Sequence, residues 1–272
     1  MSAVTVAAEG PSGVRRVAVD TWTMTWRQLL HWRNRPGLKV FGWLFPVLMM
    51  GMFSALLGGA LSAGTGGDYL AFVMPGVLTM TVFFGLEGTM GGVAADASKG
   101  VTDRLRSLPV GGFAVVGGRA AADLLDSLVS LAVVVAAGLA FGWRPDTSAG
   151  SLAIALGLLL LLRLAMLFLG IHLGLKAKTP ETVQAVQIAV WPVLFLSSVF
   201  VDTSTMPGWL AVVADANPLS ATSTALRDLL GAPTQAASWL AGHAMPAAVL
   251  GPVLLLALLV PLSIRTWRDA AR

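Results

Sequence analysis

The chain has 272 residues, of which 56% are hydrophobic and only 12% are charged. This composition argues against a soluble globular enzyme, and the low charge excludes an intrinsically disordered chain. The absence of cysteine excludes disulfide bonds, iron–sulfur clusters and cysteine zinc sites. A chain of this length and apolarity has room for six or seven membrane spans of about 20 residues each.

In chain order, the sequence predicts an all-α integral membrane protein with six transmembrane helices. Residues 1–13 are predicted to be a mobile tail, and residues 14–36 an amphipathic interfacial helix that precedes a membrane domain at 37–272. The predicted spans are Leu38–Leu61, Leu70–Ala95, Ala114–Gly142, Ser151–Leu175, Val183–Val201 and Met245–Ile264. Between spans five and six, apolar pieces broken by proline and glycine at 202–245 predict short external helices that re-enter or lie on the membrane face.

Basic residues are distributed unevenly between alternate loops. Fifteen of the 18 Lys and Arg residues lie before span one, after span six, or in the loops after spans two and four. By the positive-inside rule, this bias places both termini in the cytoplasm. The net charge of +4 is therefore a feature of membrane orientation, and nucleic acid is not an expected partner.

Two segments on the predicted cytoplasmic side are candidates for contact with another protein. In the interfacial helix, the apolar positions Trp22, Trp26 and Leu29 recur at helical spacing, with Arg33 among the flanking basic residues. This helix either only anchors span one or also offers a docking surface. In the loop at 98–110, a short helix from Thr102 to Leu108 is predicted, although a solvated basic loop explains the same residues.

Polar and charged side chains inside the spans are expensive in lipid and therefore mark contacts with protein or a water-filled cavity. Span five carries one stripe of such residues, formed by Gln184, Gln187, Trp191 and Ser198. Helix–helix hydrogen bonding and a substrate path both explain the stripe. Four charged residues lie about 15–20 Å deep, given a rise of about 1.5 Å per residue: Glu87, Asp123, Asp126 and Arg163.

A lone arginine at mid-helix costs about 2.5–3.5 kcal/mol on insertion scales, which argues for a partner. We expect Arg163 to pair with Asp123 or Asp126, with Glu87 as the alternative. A structural ion pair is favoured over a proton relay. The sequence has no G-x-x-x-x-G-K-[ST] phosphate loop and no catalytic or metal-binding motif, so energy for any transport must come from a partner or an ion gradient. The glycines at 111–112 and 117–118 are interpreted as a flexible lead into span three.

Four short motifs occur in a fixed order, at residues 103–110, 206–209, 217–219 and 227–231. With the amphipathic helix, the six spans and the internal termini, they resemble the ABC-2-type transporter permeases, in particular the actinobacterial exporters of the daunorubicin and multidrug resistance type. The chain departs from the family pattern at Ser98-Lys99, at Gly111-Gly112 and at Arg163.

The resemblance implies a half-transporter in the bacterial cell membrane that is not an enzyme by itself and binds no cofactor. Two copies would pair, and two copies of a separate cytoplasmic ATPase would bind ATP and Mg. The expected cargo is a hydrophobic or amphipathic small molecule, such as a drug, an antibiotic or a lipid-like compound, exported from the cytoplasm or inner leaflet. Export of polysaccharide or a lipid-linked precursor is the alternative, followed by proton-coupled secondary transport.

The resemblance also assigns residues to roles. The helix at 14–36 becomes a connecting helix, and the ATPase-coupling residues are Thr102, Asp103, Arg104, Leu105, Arg106 and Leu108. Spans one, two and five are expected to line the interface between the two copies. Membrane lipids are a further expected partner of the chain. The expected substrate path comprises Phe53, Phe83, Phe84, Glu87, Met90, Gln184, Gln187, Trp191 and Ser198.

Overall fold

A computed structural model describes residues 13–34, 36–61, 69–101, 104, 112–177, 179–232 and 239–269. All regular structure in these residues is helical, which confirms the predicted fold class. The long helices are α1 (Gly13–Asn34), α2 (Pro36–Leu61), α3 (Tyr69–Ser98), α4 (Gly112–Ala140), α5 (Ala149–Lys176), α6 (Pro180–Phe195) and α10 (Ala244–Asp269). Between α6 and α10 lie a 3₁₀ turn (Thr203–Thr205) and the short helices α7 (Gly208–Asp215), α8 (Pro218–Leu229) and α9 (Trp239–Gly242).

Among the described residues, five helices are long and apolar enough to cross a membrane, namely α2, α3, α4, α5 and α10. The fifth predicted span, Val183–Val201, is helical only up to Phe195. With 16 residues, α6 is about 24 Å long at a rise of about 1.5 Å per residue. The fifth predicted span therefore stays a prediction, and the helix that would form it is shorter than the sequence pattern indicated.

Helix α3 forms the centre of the bundle. Of its span, 78% is buried inside the chain, whereas only 11% of the α2 span is buried. Two glycines of α5 permit the close contact with α3: a Cβ on Gly170 would lie 2.9 Å from the Leu86 carbonyl oxygen, and one on Gly174 would lie 2.7 Å from that of Met90. Contacts within one chain thus cover most of α3, which leaves little of its surface for other contacts. The expectation that span two lines an interface between copies stays a prediction.

The interfacial helix α1 packs against the first half of α4. A Cβ on Gly118 would lie 2.4 Å from the Cβ of Met24, so only glycine permits this crossing. The Thr25 hydroxyl donates a hydrogen bond to the Gly118 carbonyl oxygen at 3.2 Å. The interpretation of Gly117 and Gly118 as a flexible lead is therefore wrong, because both lie inside α4 and Gly118 is a helix-packing position.

Arg227 of α8 holds the irregular chain that follows α6. Its Nη2 donates to the carbonyl oxygens of Ser198 at 2.6 Å and Val199 at 3.2 Å, and its Nε donates to that of Phe72 at 3.0 Å. The guanidinium also stacks over the Phe72 ring at 3.8 Å, and the residue is only 2% exposed. Burial lowers the pKa of Arg227 to about 10, so the group remains charged at neutral pH.

Other side chains complete this arrangement. The Asn217 side-chain amide donates to the carbonyl oxygens of Val193 and Leu196 at 2.7 and 2.8 Å, and Tyr69 Oη donates to that of Phe200 at 3.0 Å. Irregular backbone in an apolar environment persists only where protein groups satisfy it. These donors explain why the helix ends at Phe195 instead of continuing through the apolar residues beyond it.

Replacement of Arg227 by methionine should lower the stability of the bundle. The change leaves the three carbonyl oxygens of Phe72, Ser198 and Val199 without the donors they now have, and buried unpaired groups cost about 1–3 kcal/mol each. The midpoint of thermal unfolding in detergent should fall markedly. The matched control is Arg144→Met, which removes an exposed arginine that binds only neighbouring carbonyl groups. Equal shifts for the two variants would contradict the conclusion that the hydrogen bonds of Arg227 stabilise the bundle.

Candidate functional site

Six aromatic side chains form a continuous column along α2, α3 and α6. The ring of Trp191 lies 5.1 Å from that of Phe84 and 6.1 Å from that of Phe195, measured between centroids. The column continues from Phe195 to Phe200 at 6.0 Å. It is completed by Phe45, which contacts both Phe84 and Trp191, and by Phe53, which stacks on Phe200 at 4.0 Å.

The aromatic column runs from the buried core to an open side of the chain. Phe200 is only 4% exposed, whereas Phe195 is 53% exposed, and the other four rings are half-buried. Large apolar side chains on α2 are also exposed, including Phe41, Leu48 and Leu56. This side therefore faces either lipid or another protein chain.

The structure brings part of the predicted substrate path to this open side. Phe53, Phe84 and Trp191 belong to the aromatic column. Gln184, Gln187 and Glu87 are at least partly exposed nearby on α6 and α3. The buried Oε1 of Glu87 has no hydrogen-bond partner among the described residues.

Three predicted path residues are placed elsewhere. Phe83 and Met90 lie inside the helix packing, at 5% and 0% exposure. Ser198 is also buried, because it lies in the irregular segment after α6 and its hydroxyl contacts Ser223 and Arg227. The helical stripe that linked Ser198 to Trp191 in the sequence does not exist, since the helix ends three residues before Ser198.

A second feature is a set of alternating charges, here called the charge ladder: Arg27, Asp96, Arg119, Asp123 and Arg163. It begins at α1, where Arg27 lies 3.4 Å from Asp96 of α3. Arg119 of α4 lies 3.3 Å from the same carboxylate and 3.8 Å from Asp123 one turn further along α4. Asp123 then lies 3.7 Å from Arg163 of α5. The charge ladder therefore connects the interfacial helix with the interior of the bundle.

Arg163, at the inner end, is only 2% exposed, and two of its three guanidinium nitrogens have polar acceptors, whereas Nη1 has no hydrogen-bond partner among the described residues. Its Nε donates to Ser127 at 2.7 Å and its Nη2 to Thr89 at 3.0 Å. The Thr89 hydroxyl also contacts Asp123 at 2.6 Å. Glycines of α3 make room for the guanidinium groups: a Cβ on Gly85 would lie 2.6 Å from Cζ of Arg163, and one on Gly92 would lie 2.0 Å from Nη2 of Arg119.

Asp126, the second of the two candidate partners of Arg163, does not take part in this pairing. It lies 2.6 Å from Lys39 and accepts a hydrogen bond from Trp43 Nε1 at 2.9 Å. Lys39 in turn lies over the ring of Trp32. Asp126 is therefore engaged by α2 instead of α5, because Lys39 and Trp43 of α2 bind its two carboxylate oxygens. Glu87, the alternative partner, makes no ion pair with Arg163 among the described residues.

The expected contact points for a partner are only partly described. In α1, Trp22 and Trp26 are 61% and 54% exposed and stack at 6.4 Å, whereas Leu29 is half-buried. The Arg33 side chain lies outside the described part of the structure. In the loop, Arg104 is helical and its amide donates to the Gly100 carbonyl oxygen at 3.2 Å. The other coupling residues lie outside the described residues: Thr102, Asp103, Leu105, Arg106 and Leu108.

Sequence reasoning missed several members of these two features. It counted Arg27 and Arg119 only as orientation signals, and it did not consider Asp96, Thr89 or Ser127. One available signal was the pair Gly85 and Gly92, seven residues apart on α3 and hence on one helix face. When a sequence also has arginines inside its spans, two glycines on one face of a helix indicate that the large side chains pack there.

The pairing of Arg163 with Asp123 should appear as an energetic coupling. Breaking a buried pair by removing one partner costs about 3–5 kcal/mol, whereas removal of both leaves no unpaired charge. We expect Arg163→Met and Asp123→Asn each to destabilise the chain, and the double variant to be more stable than the sum predicts by about 1–3 kcal/mol. Thermal unfolding in detergent measures this. Asp126→Asn combined with Arg163→Met is the matched control and should be close to additive; equal coupling in both cycles would refute the assignment.

The sequence is similar to a family of known membrane proteins. The ABC-2 type transporter family model matches residues 19–230. The chain is 35% identical, over 83% of its length and 80% of the relative's, to a daunorubicin resistance ABC transporter permease protein of Streptomyces coeruleorubidus. It is 25% identical to the ycf38 protein of Cyanophora paradoxa, over 77% of this chain and 73% of that protein. It is 28% identical to the ycf38 protein of Porphyra purpurea, over 70% and 66%. Both ycf38 proteins are named as transport permeases.

The matched region contains α2 to α6, the irregular segment after α6 and the helices α7 and α8 that hold it. It therefore includes the aromatic column, the charge ladder and Arg227. The extent of the match and the identity to a drug-resistance permease lead to one conclusion: the chain is a membrane permease of the ABC-2 type transporter family.

Proposed function

We propose that the chain is the membrane subunit of an exporter that moves a hydrophobic or amphipathic small molecule out of the cytoplasm or the inner leaflet. The observation that carries this proposal is the aromatic column on the exposed side of α2, α3 and α6. A second copy of the chain placed against this side would enclose the column between two sets of rings. Such a path suits apolar or aromatic cargo, because stacked rings interact favourably with other rings.

The proposed cargo is a drug, an antibiotic or a lipid-like compound in the bacterial cell membrane. One relative is named for daunorubicin resistance, which supports a drug-like molecule. Polysaccharide or a lipid-linked precursor is the alternative cargo of the same machinery.

The proposed drive is a separate cytoplasmic ATPase, of which two copies bind the pair of permeases, one to each permease copy. The charge ladder supports a role for α1 in this coupling, because Arg27 ties α1 to Asp96 of α3. Movement of α1 or of the loop at 98–110 would then reach the bundle interior through Arg119 and Asp123. The excess of basic residues at this end supports a cytoplasmic location for both termini.

Proton-coupled transport is the competing proposal, and Glu87 is the observation in its favour. Its buried Oε1 has no partner among the described residues. The other intramembrane charges, however, are engaged in ion pairs: Asp123 with Arg163, and Asp126 with Lys39. A proton path through all four residues would require these pairs to break, so the ATP-driven proposal accounts for more of the structure.

Inside-out membrane vesicles can separate the two proposals. The chain is expressed with the Walker-motif ATPase that copurifies with it, and uptake of fluorescent daunorubicin is measured. We expect uptake to require ATP, to persist when a protonophore collapses the proton gradient, and to vanish when the Walker lysine of the ATPase is replaced. Uptake driven by a proton gradient without ATP would favour the competing proposal, and uptake of neither kind would exclude this cargo.

The aromatic column should be needed for cargo movement. Trp191→Ala removes the central ring, and stacking on an aromatic side chain is worth about 0.5–1.5 kcal/mol beyond area burial. We expect a several-fold loss of ATP-dependent uptake, measured per amount of folded permease in the vesicle membrane. Val193→Ala is the matched control, since Val193 is an exposed apolar residue on another face of α6. Equal losses for the two variants would show that the column has no special role.

A further inference from the structure

A cavity of about 450 Å³ lies at the end of the bundle opposite α1, between the short helices and α10. It is bounded by the end of α7, the start of α8, α9 and the first half of α10. It is separate from the aromatic column and the charge ladder, with which it shares no lining residue. Its volume is within the range of about 300–1,000 Å³ that is typical of small-molecule sites.

One carboxylate in the cavity wall has an oxygen without a partner. Asp215, the last residue of α7, lines the cavity and is 7% exposed. Its Oδ2 is buried, and among the described residues no group donates a hydrogen bond to it. A buried carboxylate oxygen without a donor is costly, so the site favours a cation or a strong donor.

The polar neighbour Asn217 cannot serve Asp215 in this conformation. Its amide nitrogen donates to the carbonyl oxygens of Val193 and Leu196, and its Oδ1 accepts from the Leu219 amide at 3.0 Å. Asn217 is therefore committed to the end of α6 and the start of α8. Asp215 remains the uncommitted polar group of the wall.

The rest of the wall is mainly apolar and continues onto the outer face of α10. Leu255 and Leu258 line the cavity along one side of this helix, next to Leu254. Leu254 and Leu258 are 67% and 58% exposed, so the cavity opens towards the surface that would face lipid. The lining therefore combines a nearly buried carboxylate at the end of α7 with an exposed apolar surface on α10.

We propose that this cavity binds an amphipathic amine, with its ammonium group at Asp215 and its apolar part along Leu254 and Leu258 of α10. Under the proposed orientation, the ligand comes from the outer leaflet. Two sources share this chemistry: a membrane lipid with a primary ammonium headgroup, and a free amphipathic amine such as an exported molecule. Binding at this site requires neither the ATPase nor transport, so it is tested independently of the proposed function.

The test uses the full chain in nanodiscs of phosphatidylcholine and two photoreactive probes of equal length. One is dodecylamine with a diazirine in its chain, and the other is the corresponding dodecanol. Labelled peptides are mapped by mass spectrometry. We expect the amine to label the segment at 251–258 roughly tenfold more than the alcohol, the ratio that corresponds to about 1.4 kcal/mol for a charge-assisted hydrogen bond.

Two carboxylate variants make the result specific. Asp215→Asn should reduce the amine-to-alcohol ratio at 251–258 to about one, whereas Asp228→Asn should leave it unchanged. Asp228 is the matched control because it is an exposed carboxylate on α8 that does not line the cavity. Equal labelling by the two probes in the unmodified chain, or a preference that survives Asp215→Asn, would overturn the proposal. If Asp215→Asn does not fold, Ala247→Phe, which fills the cavity from α10, takes its place with the same expected loss.

A third arm identifies the source of the ligand. Nanodiscs in which phosphatidylethanolamine replaces part of the phosphatidylcholine offer a competing primary ammonium group. Loss of the amine preference in these discs supports a lipid as the occupant, and its persistence supports a free amphipathic amine. Absence of any preference in either membrane contradicts both versions of the proposal.

Discussion

Two buried guanidinium groups, those of Arg163 and Arg227, constrain how the helices of this chain pack, because each is only 2% exposed and must be surrounded by protein acceptors. A buried cation is tolerated only when several acceptors surround it, and no single helix can supply them. Arg163 therefore draws α5 towards Thr89 of α3 and Ser127 of α4, and Arg227 draws α8 towards Phe72 of α3 and the chain after α6. Both groups contact α3, which explains why this helix is central.

The two features of the candidate site occupy different sides of that centre. The charge ladder joins α1, α3, α4 and α5 through ion pairs, in the well-packed part of the chain. The aromatic column lies on α2, α3 and α6, where packing within the chain is sparse. In the proposed function, a movement of α1 would act on these ion-paired helices, whereas the exposed sides of α2 and α6 would meet another surface. This division suits a transporter in which a rigid part moves and a loosely packed face encloses the cargo.

The sequence was informative wherever the physical signal was local. Apolar length located the spans, helical spacing located α1, and the cost of a lone arginine indicated that Arg163 has an acidic partner. It was less informative where the determining partner is distant: Arg227 ends α6 by binding carbonyl groups 28 and 29 residues earlier in the chain, and Arg27 meets Asp96 across 69 residues. The sequence left the choice between Asp123 and Asp126 open for the same reason, since the partner of Asp126 is Lys39 of α2, 87 residues away.

The early end of α6 has a consequence for the surrounding bilayer. As the fifth span of the proposed transporter, its 16 residues would cover less than the hydrocarbon thickness of about 30 Å. A helix that is too short is accommodated by local thinning of the lipid or by protein that shields the remainder. Protein donors satisfy the inner side of the irregular segment, so in the proposed transporter the mismatch would fall on the lipid-facing side. The acyl chains beside α6 would then be shorter or more tilted than elsewhere, and an amphipathic molecule would meet its thinnest hydrocarbon barrier at this corner.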